Sequence, residues 1–435
     1  MSQEAAAKAE SVQKTIALYL SQRVPEFRRL SELRQKGWNN VQGDAFFQRQ
    51  RQSADCADEQ TAAYFYKLMQ TIGTELQTAT RAFTIHDDFL SRPPQRSASH
   101  HHHNGQGQAA RSIISLSPQQ VCLIRTGHSP ARPGQTMSSV QASQGQTSSS
   151  PSPPPLPQPQ DASILDLCMA PGGFLATALA HNPQARALAF SLPPQMGGHK
   201  IRLPPSLLLP PNPIVQHRLV DITLLAQDLD YSLPIPDSHP DTFLPLQLDR
   251  QRLFSLVLCD GQVLRTHARA PYRLVREPRR LSCAQLALAL AHTRPGGSIL
   301  CLLHKPESWS NMLLLRSFSR FATLRLYKPR AGHAKRSSFY MLASNVQSNH
   351  PEAKAAVLAW KNTWAVATFG SEDEYWQHVN SVQDDVEAVL QDFGPQFISL
   401  ASSVWKVQAD ALEKAPFIRD AKGPSLAAAG WTRWS

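Results

Sequence analysis

The chain has 435 residues, 42% of them hydrophobic, with 44 Lys and Arg against 33 Asp and Glu for a formal charge of +11. That is enough apolar material for one large domain with additions or for two domains, and the basic balance favours a polyanionic partner such as RNA. No run of about 18 apolar residues occurs, so nothing is expected to span a membrane, and none of the six cysteines forms a CxxC pair, so no zinc site or other metal site is expected. The N-terminal MSQEAAAKAESVQ lacks an apolar signal core. With cysteines inside apolar runs, this reads as a reduced, intracellular protein, nuclear or cytoplasmic.

Residues 1–90 read as helices. Val12, Ile16, Leu20 and Val24 recur at helical spacing, as do Ala62, Phe65, Leu68, Met69, Ile72 and Leu76. From 91 to 160 the composition changes to a four-histidine run at 100–103, Gln/Ser/Gly repeats and SSSPSPPPLPQPQ. This stretch holds 11 of the 34 prolines, cannot bury enough apolar surface to offset its ordering entropy, and is expected to be a disordered insertion.

From 161 to 348, short apolar runs alternate with helical stretches. Strands are expected at 163–169, 187–192, 214–220, 254–259, 298–303, 323–327 and 338–343, with helices at 281–292 and 309–321. Such alternation implies a mostly parallel sheet covered on both faces. Proline-rich stretches at 203–213 and 232–250 interrupt it. Residues 349–435 read as a helical region with two apolar stripes: Val379, Val382, Val386, Val389 and Leu390, then Phe397, Leu400, Val404, Val407 and Leu412. These are core or docking faces, and a protein partner for them stays open.

The segment from Asp166 through Ala170, Pro171, Gly172 and Gly173 to Phe174 runs from an apolar strand into a glycine turn and then a helix. Glycine permits close approach of backbone to a ligand, and a helix N-terminus offers oriented N–H groups. A tight strand-to-helix turn alone needs similar glycines, but the acid on the strand and the APGG spacing point to a nucleotide-type ligand. Downstream, FSLVLCDG delivers Asp260, and RPGGSILCLLHK delivers Lys305. Ligands of open α/β sheets bind at the C-terminal strand ends, where Asp166, Asp260 and Lys305 are expected. A lysine with a lowered pKa, oriented by an acid, can remove a hydroxyl proton. An ordinary ion pair of Asp260 and Lys305 is the alternative.

Taken together, these segments resemble the FtsJ-type ribose 2′-O-methyltransferases. DLCMAPGGF is similar to that family's motif I (DLxAAPGGF), the Asp260 and Lys305 segments to its strand-4 and strand-5 motifs, and YKPRAGHAKRSSFYMLA to its KPxxSRxxSxExY motif. The resemblance spans residues 163 to 345. It implies a Rossmann-like class I α/β methyltransferase fold, here with N- and C-terminal helical additions, and S-adenosylmethionine (SAM) as cofactor. It further implies that Asp166, Ala170, Pro171, Gly172, Gly173, Phe174, Ser191, Asp221 and Asp260 hold the cofactor. Ser191 stands where such enzymes carry a ribose-binding acid, and Asp221 where they hold the adenine amine.

The family's Lys-Asp-Lys-Glu tetrad maps onto Lys67, Asp260, Lys305 and Ser338, with Arg29 as a rival to Lys67. Serine carries no charge, so the resemblance implies reduced or lost catalysis, or service by another acid. Arg265, Arg269, Arg273, Arg276, Arg279 and Arg280, with Lys328, Arg330, Lys335 and Arg336, fit an RNA groove alongside His267, Tyr272 and His333, or a solvated charged loop. Two functions follow as expectations: methylation of a ribose 2′-hydroxyl in ribosomal RNA or an mRNA cap, or an impaired relative that binds RNA or protein. A non-ribose acceptor is a third.

Overall fold

The computed structural model describes residues 3–55, 59–85, 163–211, 213–381 and 384–419. The chain divides into two units, residues 1–90 with 160–435 and residues 91–159. The second unit, where the disordered insertion is expected, lies outside the described residues, as do the four histidines.

Four helices open the first unit: α1 (Gln3–Arg23), α2 (Pro25–Trp38), α3 (Val41–Asp55) and α4 (Glu59–Thr80). Pro25 begins α2, a position where its missing N–H goes unused. Ile16, Leu20, Val24, Phe27, Leu30 and Leu33 are buried, one every three or four residues, so α1 and α2 present a single apolar face.

The sheet follows, with α5 (Gly173–His181) and the short α6 (Pro205–Leu208) between its first strands. It comprises β1 (Ser163–Asp166), β2 (Arg186–Ser191), β3 (Val215–Leu219), β4 (Phe254–Cys259), β5 (Thr293–His304), β6 (Thr323–Tyr327) and β7 (Ser338–Val346) in the order β3-β2-β1-β4-β5-β7-β6. The first five strands are parallel, and β7 enters antiparallel between β5 and β6. This mixed sheet is the Rossmann-like class I methyltransferase fold expected from the sequence. The chain leaves β1 toward β2 and β3, then returns to place β4 on the other side of β1. That reversal opens a crevice at the C-terminal ends of β1 and β4.

Strand alternation divides the core. Leu165, Leu188, Val257 and Ile299 face α7 (Arg273–His292), α8 (Trp309–Ser319) and the terminal helices. Ile164, Ala187, Leu256, Leu300 and Leu342 face α4 and α5. Each such leucine contributes about 1.5–3 kcal/mol on burial.

Beyond the sheet lie α9 (Pro351–Phe369), α10 (Glu372–Ser381), α11 (Val386–Glu413) and α12 (Pro416–Arg419). The second apolar stripe is used within the chain: Phe397, Val404, Trp405 and Leu412 of α11 are buried, and Trp405 meets Phe27 of α2 with ring centroids 5.2 Å apart. Glu307, just past β5, locks this assembly. It pairs with Arg34 at 2.5 Å and accepts from Trp405 Nε1 at 3.0 Å. Burial pushes its carboxyl up, and Arg34 outweighs that, holding it below the ordinary glutamate range.

Two elements start earlier than expected. β5 begins at Thr293 because Gly296, at φ 84°, and a register shift between Gly297 and Ile299 take the glycines into the strand as a bulge. α7 begins at Arg273, and its first two turns bury arginines expected in a groove.

Candidate active site

The crevice at the switch point is a cleft of about 1060 Å³ lined by residues of α4, the β1–α5 turn, the loops after β2, β3, β4 and β6, and Leu302 and Tyr340 of β5 and β7. Its floor is the turn after β1. Gly172 takes φ 106°, a conformation L side chains rarely adopt, and starts α5. Gly173 has a different duty: a Cβ there would lie 2.5 Å from Met69 Cβ and 2.7 Å from the Tyr66 carbonyl, so α4 crosses the first turn of α5 at backbone contact. Phe174 is buried, its ring edge-on to Tyr340 at 5.6 Å. Ala170 and Pro171 line the cleft, and the Ala170 amide donates to Ser191 Oγ at 3.1 Å, so Ser191 at the end of β2 holds the turn in place.

Two carboxyls sit at the mouths of β1 and β4. Asp166 is 3% exposed and accepts from the Cys168 amide at 3.2 Å; burial pushes its pKa up to about 8. Asp260 lines the cleft and accepts from the Tyr340 hydroxyl at 3.0 Å; burial pushes it up to about 7, the tyrosine opposing. Gly261 follows, its amide donating to Gln285 Oε1 at 2.9 Å, which fixes the loop that carries Asp260.

Asp221 caps the turn after β3. Its Oδ1 accepts from the Thr223 amide at 2.9 Å and hydroxyl at 2.8 Å, and its Oδ2 from Arg273 Nη2 at 2.6 Å. Burial pushes this carboxyl up, but Arg273 and these donors hold it below the ordinary aspartate range. Arg273 also meets Glu277 at 2.7 Å. Asp221, His267 and Glu277 could together hold a metal ion by spacing, but the Arg273 guanidinium already bridges both carboxylates and a cation would have to displace it.

Of the predicted tetrad, Asp260 lines the cleft and the two lysines do not. Lys67 is exposed on α4 and does not line the cleft, although its neighbours Leu68 and Met69 do. Lys305 lies beyond the end of β5 at φ 51°, its amide bonded to the Ser337 carbonyl, and it too is not among the lining residues. The cause is strand register: β5 places Leu302 opposite Tyr340, so Leu302 faces the cleft. Ser338 is buried, with its hydroxyl 2.6 Å from His333 Nδ1. Asp260 forms no ion pair among the described residues.

The groove arginines need correction as well. Arg273, Arg276 and Arg280 are 1%, 8% and 0% exposed. Arg276 donates to the Gly370 carbonyl and Arg280 to Thr368 and Glu277, clamping α7 to α9. Lys328 is buried as well, its ammonium donating to the carbonyls of Arg336 and Ser338. Burial, then Arg34, pushes its pKa down to about 7. These groups neutralise buried carboxylates or tie loops to the helices. Lys200, Arg202 and Arg336 line the cleft, Arg202 paired there with Glu59 at 2.8 Å. Leu302 was not singled out by sequence reasoning, and Tyr340 only as the tyrosine that aligns the KPxxSRxxSxExY motif, although period-two alternation along β5 and β7 contains the signal.

SAM fits what is present: a roomy cleft at the switch point, a helix N-terminus above a glycine turn, polar groups at the ends of β2 and β3, and a buried His267 Nε2 on the cleft wall with no hydrogen-bond partner. Residues 155–346 match the family model described as FtsJ-like methyltransferase. No curated protein matches the chain. Among solved structures, an rRNA methylase from Streptococcus thermophilus is 12% identical over 43% of this chain and 88% of its own, with a TM-score of 0.25. A ribosomal RNA methyltransferase from Plasmodium falciparum is 14% identical over 43% and 87%, at 0.26. The N-methyltransferase NodS from Bradyrhizobium japonicum in complex with S-adenosyl-L-homocysteine is 12% identical over 42% and 78%, at 0.25. Similarity at that level says nothing about substrate. Residues 155–346 are an FtsJ-like methyltransferase domain, with S-adenosylmethionine as its cofactor.

Proposed function

We propose that this domain methylates RNA on a ribose 2′-hydroxyl. The observation that carries the reading is Asp260, a carboxyl on the cleft wall at the mouth of β4 whose Oδ1 meets the Tyr340 hydroxyl. Bound SAM supplies an electrophilic methyl group. The protein must then take a proton from a weakly acidic hydroxyl, and a carboxylate with a pKa near the operating pH suits that work. Burial puts Asp260 at about 7, and Tyr340 fixes one of its oxygens so that the other is left to accept the proton. The pair takes the place of the lysines that the family resemblance implied. RNA as acceptor is supported by Lys200, Arg202 and Arg336 along the cleft and by Tyr64, 59% exposed on α4, which suit phosphate neutralisation and base stacking.

The test is methyl transfer from labelled SAM to RNA, with the product digested to nucleosides. The reading expects 2′-O-methylated nucleosides from the wild type and a loss of about 100-fold or more in turnover at saturating SAM in Asp260→Asn. A base-methylated product, or an unchanged rate in the variant, defeats it. One observation favours a second reading, an RNA-binding relative without transferase activity: Asp260 has no cationic partner among the described residues, and the neutral Ser338 is engaged by His333. RNA binding with no labelled product would select it.

A further inference from the structure

Residues 328–337, which link β6 to β7, are held from several sides. The Lys328 ammonium donates to the carbonyls of Arg336 and Ser338 and closes the loop on itself. Glu75 of α4 accepts from the amides of Arg330 and Ala331 at 2.8 and 2.9 Å. Gln408 of α11 donates to the Lys335 carbonyl at 3.4 Å, and the Lys305 amide to the Ser337 carbonyl at 3.0 Å. Gly332 takes φ 65°, and a Cβ there would lie 3.2 Å from Leu68 of α4. A loop fixed in this way presents its side chains in set positions.

His333 and Arg336 are the side chains it presents to the cleft. The buried Ser338 hydroxyl lies 2.6 Å from His333 Nδ1, and the imidazole stands edge-on to the Tyr340 ring at 5.5 Å. Tyr340 in turn donates to Asp260, so His333 and Asp260 flank one tyrosine on the cleft wall. With Nδ1 committed to Ser338, Nε2 is the ring nitrogen left to meet a ligand. Burial, then Lys328, Arg336 and His304, push the His333 pKa down to about 3, and the ring is neutral. Burial and the same two cations, with Lys305, push His304 down to about 4. Among the described residues the charges acting on both rings are positive. Glu75 is engaged by two amides and Glu307 by Arg34.

We propose that His333, oriented by Ser338, donates from Nε2 to the 3′-phosphodiester of the nucleotide whose 2′-hydroxyl meets Asp260, with Arg336 supplying charge at the same rim. The proposal rests on the reading of the cleft as a ribose 2′-O-methylation site and names a feature of its substrate, a phosphate on the 3′ side of the target ribose. The 2′ and 3′ carbons of ribose are bonded to each other, so hydroxyl and phosphate are neighbours, as Asp260 and His333 are across Tyr340. A phosphodiester only accepts hydrogen bonds. That fixes the proton on Nε2 and has the Ser338 hydroxyl donate to Nδ1. The phosphate also brings the negative charge that this cationic corner and the uncharged Ser338 lack.

The experiment needs no known target sequence. The full chain, saturated with S-adenosylhomocysteine, is bound to a labelled mixed-sequence RNA, which nucleoside 3′-monophosphates and their 5′ isomers then displace. At least one 3′ isomer should compete about tenfold better than its 5′ partner, one hydrogen bond to a charged group being sufficient for that. His333→Ala should abolish the preference, Ser338→Ala should weaken it, and His333→Gln, which restores a donor, should recover it. In methyl transfer, His333→Ala should raise the RNA KM about tenfold with kcat within about threefold of wild type, the pattern of lost ground-state binding. A wild type that binds RNA but treats every isomer pair alike overturns the inference and needs no variant to fold. A preference that survives in a folded His333→Ala protein also overturns it, as does a fall in kcat at unchanged KM. The digested product reports on the parent reading separately. A base-methylated product with the preference intact removes the ribose reading and keeps the phosphate contact, and a 2′-O-methylated product without the preference does the reverse.

Discussion

Arg273 is the residue whose removal should be most visible in stability. Its guanidinium is 1% exposed, 2.6 Å from Asp221 and 2.7 Å from Glu277, whose side chains are 5% and 2% exposed. Arg273→Met roughly keeps the volume but leaves buried Asp221 without a guanidinium partner, while Glu277 keeps Arg280 at 3.1 Å. Breaking a buried pair by deleting one partner costs about 3–5 kcal/mol, whereas replacing the whole group with neutral residues is close to neutral. The variant should therefore lose that amount at pH 7, and Arg273→Met with Asp221→Asn, which leaves the Arg280–Glu277 pair intact, should recover most of it. The sign of the pH dependence is also fixed. Asp221 is held below the ordinary aspartate value, so its contribution is present above that value and is lost as the pH falls through the lower, folded one. The single variant should therefore lose this source of acid sensitivity. Urea unfolding followed by tryptophan fluorescence suits the measurement, because Trp364 Nε1 donates to the Thr223 carbonyl beside this cluster. A single-variant loss under about 1 kcal/mol, the range of an exposed pair, would refute the reasoning, as would failure of the double variant to recover.

Gly173→Val should destabilise the protein by about 1–3 kcal/mol through overpacking, because its side chain must displace α4 at Met69 and Tyr66; a thermal melt without any ligand should already show the loss. Lys67→Ala and Lys305→Ala should leave methyl transfer within about threefold of wild type, well short of the 100-fold scale of acid–base catalysis, since neither lysine lines the cleft. A collapse of transfer in either would restore the lysine-based reading. Asp166 is raised to about 8, so its folded form keeps a proton that the unfolded chain has lost, and stability falls as pH rises from about 4 toward 8. Asp166→Asn should accordingly stabilise the protein more at pH 8 than at pH 5, as read from urea midpoints at the two pH values.

The sheet was legible because buried parallel strands are near-continuous apolar runs, and the turn after β1 because Asp166, Gly172 and Gly173 sit where a strand must become a helix. The bulge at Gly296 was not, since a glycine pair reads equally as a turn. The side that Lys305 takes was not legible, because a strand's end does not say which face its residues take. The alternation 300, 302, 304 is visible in the sequence, but only the pairing of Leu302 with Tyr340 shows which face is the cleft. Arg273, Arg276 and Arg280 looked like a solvated basic cluster because their carboxylate and backbone partners, such as Asp221 and Gly370, lie 52 and 94 positions away. The unmatched His267 Nε2 depends on loop contacts that no local pattern carries.

The central claim is that the cleft at the ends of β1 and β4 is a SAM site, and calorimetric titration of the full-length protein with SAM tests it most directly. The account predicts saturable binding at a single site, competed by S-adenosylhomocysteine. A folded protein that gives no binding heat and no ligand-induced rise in melting temperature would contradict it.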